Sequence, residues 1–511
     1  MTNPIPDLPF IASSSSSLNP NHYVLGSLLD IYINEFGGWS NTVTKETDQH
    51  LLSIAPTRSG KGRCLILPNL LHLTEHSVFV IDPKGENALV SANYRQEQGH
   101  EVVIFNPYGL HKEEFEKRGF TQFQCFNPLA NLKPDDPDFI DNANTIAEAL
   151  IYDTGHGDPH WVDSARGLLV FLIVYIVLEE QETDKTLRRL HAILSGGYAV
   201  LEKEILPKAQ ESKNPLVFEN VGRYAIETNE IHSIIATAET QTRIFKSNVI
   251  CSALTGDAFD FEQIKHKKTS IYLILPSERL ITQARYLRLI LLVAMSQFMR
   301  SGKGKHQVLM MLDEFANLGK LNIIENGYGL IAGHGVTLWS FVQNLTQLQN
   351  LYPKNWETFI ANSSVVTVSN VNDVTTAEYF SRRAGKQEIP KQTLSSSNGV
   401  SGEAMYGTIQ IFNNANSSSI NFVLEDALSV TNIYNAPEYG LFLFFAGQAM
   451  PVRCIKIKYD LPFSSSPKQT HQHPYPFSSR AKPNPMYSSS SQLSGDYMVN
   501  GLDILDQNNF L

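Results

Sequence analysis

From residue 50 onward, short apolar runs alternate with longer stretches in which apolar positions recur at helical spacing. The runs at 51–54, 78–81, 102–105, 271–275, 308–312, 336–342 and 365–368 are predicted strands. Several are apolar at every position, the pattern of parallel strands covered by helices on both faces. The fold class is therefore α/β with a mostly parallel sheet. Between 135 and 248 the strand pattern stops, and 143–152, 161–180, 186–194, 199–206 and 227–244 all read as helices. An interval of that length is implausible as a loop in a compact unit, so an all-helical domain inserted into the α/β domain is expected.

The ends of the chain differ in texture. Residues 1–45, Ser-rich at 13–17, read as a partly ordered lead-in. The runs 441–445 and 452–459 flank Gly447 and predict a hairpin at the sheet edge. Residues 461–511 collapse into Ser, Pro, Asn and Gln, too poor in apolar area to offset the entropy of ordering, and are expected to be disordered. The expected organisation is a nucleotide-binding domain built from 46–134 and 249–460, with the helical domain 135–248 between its halves. With 511 residues and 42% hydrophobic content the chain can bury a large core.

Forty-one Lys and Arg against 51 Asp and Glu give a formal charge of −10, so any nucleic-acid contact needs a local basic surface or an assembled channel. The cluster Lys265-His-Lys-Lys268 is the one basic group of note, as a contact or as a solvated turn. Cys64, Cys125, Cys251 and Cys454 form no CxxC pair, which argues against a zinc site or a disulfide framework and fits a reducing cytoplasm. The most apolar run, 168–178, has eleven residues and lies below the roughly 18 to 20 needed to cross a bilayer, so no transmembrane segment is expected.

Three motifs carry candidate chemistry. The stretch Ala55-Pro-Thr-Arg-Ser-Gly-Lys-Gly62 follows an apolar run and opens a helix, in the manner of a phosphate-binding P-loop. Successive backbone amides at a helix start wrap phosphate oxygens, Gly60 allows close approach, and Lys61 supplies a point charge. Ala55 replaces the first glycine of the pattern and Gly62 the magnesium-contacting hydroxyl, so an ordinary strand–helix turn is the competing reading. The run Val308–Leu312 then ends in Asp313 and Glu314, a Walker B pattern in which Asp313 would hold Mg²⁺ and Glu314 would polarise the attacking water, or a strand ending in two solvated acids. The next strand ends in Gln343, either a contact to the γ-phosphate or a strand-end cap.

Together, 55–71 (APTRSGKGRCLILPNLL), 78–88 (VFVIDPKGENA), 102–107 (VVIFNP), 158–169 (DPHWVDSARGLL), 308–321 (VLMMLDEFANLGKL) and 339–348 (WSFVQNLTQL) resemble the TraG/VirD4 family, the coupling-protein ATPases of type IV secretion and bacterial conjugation. The resemblance spans about residues 50–385 and accounts for Gly62, because TRSGKG is the family's form of the loop. It implies a RecA-like P-loop NTPase fold. Thr57, Arg58, Ser59, Gly60, Lys61 and Gly62 would surround the phosphates of ATP. Asp313 would be the Mg²⁺ residue, Glu314 the water residue and Gln343 the sensor. Asp82 and Lys84 would lie near the site, or belong to a Pro turn.

The resemblance further implies a homo-hexamer that pumps single-stranded DNA, or a relaxase–DNA complex, at the cytoplasmic face of the inner membrane. Partners would be inner-membrane secretion components, and accessory proteins bound by the helical domain (where Trp161 and Asp163 lie) or by the tail. Two departures stand out. No arginine precedes Gln343 to serve a neighbouring subunit's site, leaving Arg382 and Arg383 as substitutes, and the membrane-spanning helices common at the family's N-terminus are not seen. A receptor for protein effectors and a nucleotide-binding scaffold with little turnover are the alternative functions.

Overall fold

The computed structural model describes residues 20–28, 42–152, 158–400, 412–448, 450–456 and 458–460. Its strands are β1 (Tyr23–Leu28), β2 (Thr42–Lys45), β3 (His50–Ile54), β4 (Ser77–Ile81), β5 (Glu101–Phe105), β6 (Thr269–Leu273), β7 (Val308–Leu312), β8 (Val336–Val342), β9 (Ser363–Val368), β10 (Lys386–Val400), β11 (Phe412–Asp426), β12 (Gly440–Phe445) and β13 (Val452–Ile455). All but β10 and β11 join one 11-stranded sheet in the order β2-β1-β13-β12-β9-β3-β8-β7-β4-β6-β5.

From β9 to β5 every neighbouring pair is parallel, and β12, β13, β1 and β2 extend the β9 side antiparallel. The all-apolar strands serve two cores at once. In β7, Leu309 and Met311 enter one cluster while Val308, Met310 and Leu312 enter the cluster on the other face. Trp339 and Phe341 of β8 divide from Leu338 and Val342 in the same way. Side chains alternate across a strand, so a strand covered on both sides must be apolar throughout.

One face is covered by helices α1 (Leu67–His72) and α2 (Glu86–Glu97). Between β5 and β6 the described residues form helices and turns only, among them α3 (Phe139–Leu150), α4 (Pro159–Glu179) and α5 (Asn229–Gln241). Their apolar side chains join the cluster on the opposite face, together with α6 (Ala284–Arg300) and α7 (Val374–Ala384). Helix α4 is longer than its apolar run suggests, because Asp158 caps it at His160 N (3.0 Å) and Pro159 occupies the first turn. By length and composition alone it could span a bilayer, but most of it is buried among the other helices.

Three features depart from the sequence expectation. The lead-in contributes β1 and β2, with Tyr23, Val24 and Leu25 buried and Asn69 of α1 clasping Val24 at both its backbone N and O (2.8 Å each). These strands are short and include Gly26 and Ser27, which hid them. The Ser- and Asn-rich segments 386–400 and 412–426 pair over 15 positions as a separate two-stranded ribbon. The expected 441–459 hairpin is present as β12 and β13 but not at the sheet edge, because β1 and β2 pair on beyond β13; the tail 461–511 lies outside the described residues.

Candidate nucleotide site

Strands β3, β8 and β7 are adjacent and parallel, so their C-terminal ends emerge on one edge of the sheet. The loop 55–62 leaves β3 there, Gln343 leaves β8 and the Asp313–Glu314 pair leaves β7. The amide of Ala55 extends the ladder to Val342 O (2.9 Å), and Ser59 N turns back to Pro56 O (3.2 Å). Arg58 and Gly60 hold φ at 66° and 83°, alternating the direction of successive peptides as an anion-binding loop requires. A Cβ at Gly60 would sit 3.4 Å from Cys64 Sγ in a backbone that suits only glycine. From Gly62 the chain is helical through α1.

The Lys61 ammonium joins the two halves of the site, 3.0 Å from Asp313 Oδ1 and 2.9 Å from Glu314 Oε1. Gln343 Nε2 donates to the other Glu314 oxygen (3.4 Å), and Glu314 N donates to Asp313 Oδ1 (3.0 Å). Burial opposes the charge on Lys61, yet the two carboxylates prevail and its pKa is raised. Burial also raises the pKa of Asp313, against the pull of Lys61. Glu314 adopts φ 55°, a left-handed backbone uncommon outside glycine.

The residues suit a magnesium nucleotide. The Ser59 hydroxyl is buried with no hydrogen-bond partner among the described residues, an open donor inside the loop. A Cβ at Gly62 would meet nothing within 4 Å, so the space beside Lys61 is free. No three His, Cys, Asp or Glu side chains cluster as a metal cage among the described residues. Mg²⁺ is held by one or two carboxylates together with substrate phosphates and water, and Asp313 beside Lys61 offers such a carboxylate.

A family model described as type IV secretory system conjugative DNA transfer matches residues 18–459. The chain belongs to this family. A conjugal transfer protein TraG of Escherichia coli is 25% identical over 391 residues, covering 71% of this chain and 60% of that protein. A VirD4 protein of Rhizobium radiobacter is 28% identical over 363 residues, 69% of this chain and 50% of its own length. The chain thus spans between half and three-fifths of these two relatives. Among solved structures, the bacterial conjugative coupling protein TrwB in an unbound form superposes with a TM-score of 0.60 at 14% identity, covering 85% of this chain and 93% of that one. TrwB in complex with ADP and Mg²⁺ gives 0.56 at 13%, covering 86% and 96%. The family fold is accordingly the RecA-like P-loop architecture.

The other residues singled out in the sequence bond to groups other than Lys61. Asp82 turns inward, accepting from Ala88 N (2.9 Å) and Asn87 Nδ2 (3.3 Å) at the start of α2, and Lys84 offers its carbonyl to His111 Nε2 (3.1 Å). Burial, reinforced by Asp313, pushes the Asp82 carboxyl up to about 7. The basic cluster is largely neutralised. Lys265 is buried on the carbonyls of Phe298 and Gly302, Lys267 pairs with Glu101 (2.7 Å) and Lys268 with Glu75 (2.7 Å). Arg382 is exposed in the last turn of α7, whereas Arg383 packs 5.6 Å over the Phe444 ring. Trp161 packs against the core, and Asp163 pairs with Arg166 (3.1 Å).

Two residues at this edge had no sequence signal. Lys456 donates to Ser59 O (2.7 Å) and Glu438 O (2.8 Å) and to Asn370 Oδ1. Arg288 donates to the carbonyls of Leu318 and Lys320 (2.8 Å each) just beyond Glu314. Neither lies in a local pattern; each is placed by the fold.

Proposed function

We propose that the protein is an ATP-hydrolysing coupling protein that recruits single-stranded DNA, or a relaxase–DNA complex, and moves it into a type IV secretion channel. The observation that carries this reading is the meeting of Lys61 with Asp313 and Glu314 at one sheet edge. The amides of 57–62 and the Lys61 ammonium hold the β and γ phosphates of ATP. Asp313 is the carboxylate for Mg²⁺, which neutralises phosphate charge when bound. Glu314 orients and deprotonates the attacking water. Gln343, hydrogen-bonded to Glu314, links the state of that carboxylate to β8.

The active assembly in this reading is a homo-hexamer at the cytoplasmic face of the inner membrane, working with the membrane components of the apparatus. TrwB has been solved with ADP and Mg²⁺ and with non-hydrolysable ATP and GTP analogues, which supports the nucleotide assignment. Accessory proteins are expected to bind the helical block or the C-terminal tail.

One observation favours a receptor for protein cargo instead: the basic cluster at 265–268 is consumed by Glu75, Glu101 and helix carbonyls. ATP turnover measured with and without single-stranded DNA separates the two. Translocation of DNA predicts stimulation that fades as salt rises, since backbone contacts release counterions. Unstimulated turnover together with salt-insensitive DNA binding would transfer the assignment to protein cargo.

A further inference from the structure

Lys456 follows β13, an antiparallel strand paired with β1 and β12, yet its ammonium reaches the phosphate loop 397 residues earlier in the chain. The ammonium has three donors, and three neutral oxygens take them: Ser59 O, Glu438 O and Asn370 Oδ1. Burial holds its pKa down to about 8. A partly buried lysine with no carboxylate among these hydrogen-bond partners is held in place by neutral oxygens rather than by an ion pair.

Its contact with Ser59 has a geometric consequence. In a trans peptide the carbonyl oxygen of one residue and the amide hydrogen of the next point in opposite directions across a rigid plane. Fixing Ser59 O on Lys456 therefore fixes Gly60 N–H pointing away from Lys456. A phosphate loop works by converging such amides, so its outward carbonyls need partners of their own. The neighbouring structure locks the lysine in turn. Asn370 holds φ at 52°, Ser369 N is bonded to Ile54 O (3.1 Å) at the end of β3, and a second tie joins Arg63 to Asp460 (2.6 Å) with Tyr459 N on Arg63 O (3.1 Å). Lys456, Tyr459 and Asp460 thus fasten the loop on both sides of Lys61.

We propose that Lys456 is a positioning residue for the phosphate loop, holding the Ser59–Gly60 peptide in the orientation that presents its amide to the nucleotide phosphates. This rests on the nucleotide-site reading above. It adds a residue just past β13 that bonds to the loop's outward carbonyl rather than to the phosphates.

The test uses the full chain and Mg-ATP, with inorganic pyrophosphate as competitor. Lys456→Met is expected to weaken ATP and pyrophosphate binding by about tenfold, the size of one hydrogen bond from a charged donor. KM should rise with kcat little changed, because the loop grips ground state and transition state alike. Lys456→Arg should recover most of the affinity. Amide hydrogen exchange should speed up in peptides covering 55–66 and stay unchanged in those covering 308–312, a difference that general loosening would not produce.

Asn370→Gly provides a variant that keeps the left-handed backbone and removes only one of the lysine's acceptors. It should show a smaller loss of affinity in the same direction, and it answers the question should Lys456→Met fail to fold. Wild-type affinity and exchange in the folded Lys456 or Asn370 variants would overturn the proposal. Lys61→Ala is measured alongside. If it too binds ATP normally, the nucleotide site itself has been misplaced; if it alone loses binding, only the role of Lys456 is refuted.

Discussion

Glu314, Arg58 and Asn370 all adopt positive φ, and all three stand at the sheet edge where Lys61 meets the acidic pair. Each left-handed residue costs about 1–2 kcal/mol in an L-amino acid. Such strain persists where the surroundings dictate it, and functional sites are where it collects. Asp82 contributes a different cost. With its carboxyl held near 7 by burial, the folded chain keeps a proton that the unfolded chain releases at about 4. The folded state then binds more protons between those values, so stability falls as pH rises from about 4 to about 7. Asp82→Asn should flatten that part of the profile and be at least as stable as wild type above pH 7. Denaturant midpoints measured at pH 4.5 and 7.5 read this directly.

Asp313, Glu314 and Gln343 could be singled out in the sequence because each follows an apolar run, and Lys61 because it stands in a recognisable loop spacing. Their mutual distances could not be read there, since these depend on strand order. Lys456 was invisible. A lone lysine just past the last strand acquires meaning only when the fold brings it to Ser59 O.

At the scale of elements, the parallel strands could be read because two-sided burial leaves an unbroken apolar run. Strands β1 and β2 escaped because both are short and β1 is interrupted by Gly26 and Ser27. The ribbon of β10 and β11 escaped because pairing between polar strands rests on backbone bonds that leave little hydrophobic signature. Arg288 illustrates how separate elements are held. It lies in α6, buried over the Tyr152 ring (4.1 Å), and donates to Ala149 O (3.3 Å) in α3 as well as to the two carbonyls beyond Glu314. Arg288→Ala would leave these carbonyls buried without donors, and a loss of about 3 kcal/mol in stability is expected. Turnover should fall too, since the freed segment carries Glu314. Urea unfolding and an ATPase assay on the same preparation would check both.

On the scale of the molecule, the acidic net charge of −10 and the pairing of the basic cluster leave no broad cationic face assigned among the described residues. A DNA-moving role then depends on residues gathered by assembly, which is why the hexamer belongs to the proposal. The helical block shares its apolar cluster with one face of the sheet. Movement at the nucleotide edge therefore has a packed route into the element proposed to meet accessory proteins. Sequence pattern reads this block as a run without strands but does not give its depth of contact with the sheet, because helix packing partners are set in three dimensions.

The central claim is that Lys61 and Glu314 divide the work of gripping a triphosphate and activating water. It is tested most directly by measuring Mg-ATP binding and turnover side by side for the wild type, Lys61→Ala and Glu314→Gln. The account predicts lost binding for the lysine variant. For the glutamine variant it predicts near-normal binding with turnover reduced by about 10²- to 10⁴-fold, the usual worth of a general base. Full turnover in Glu314→Gln, or unchanged affinity in Lys61→Ala, would contradict it.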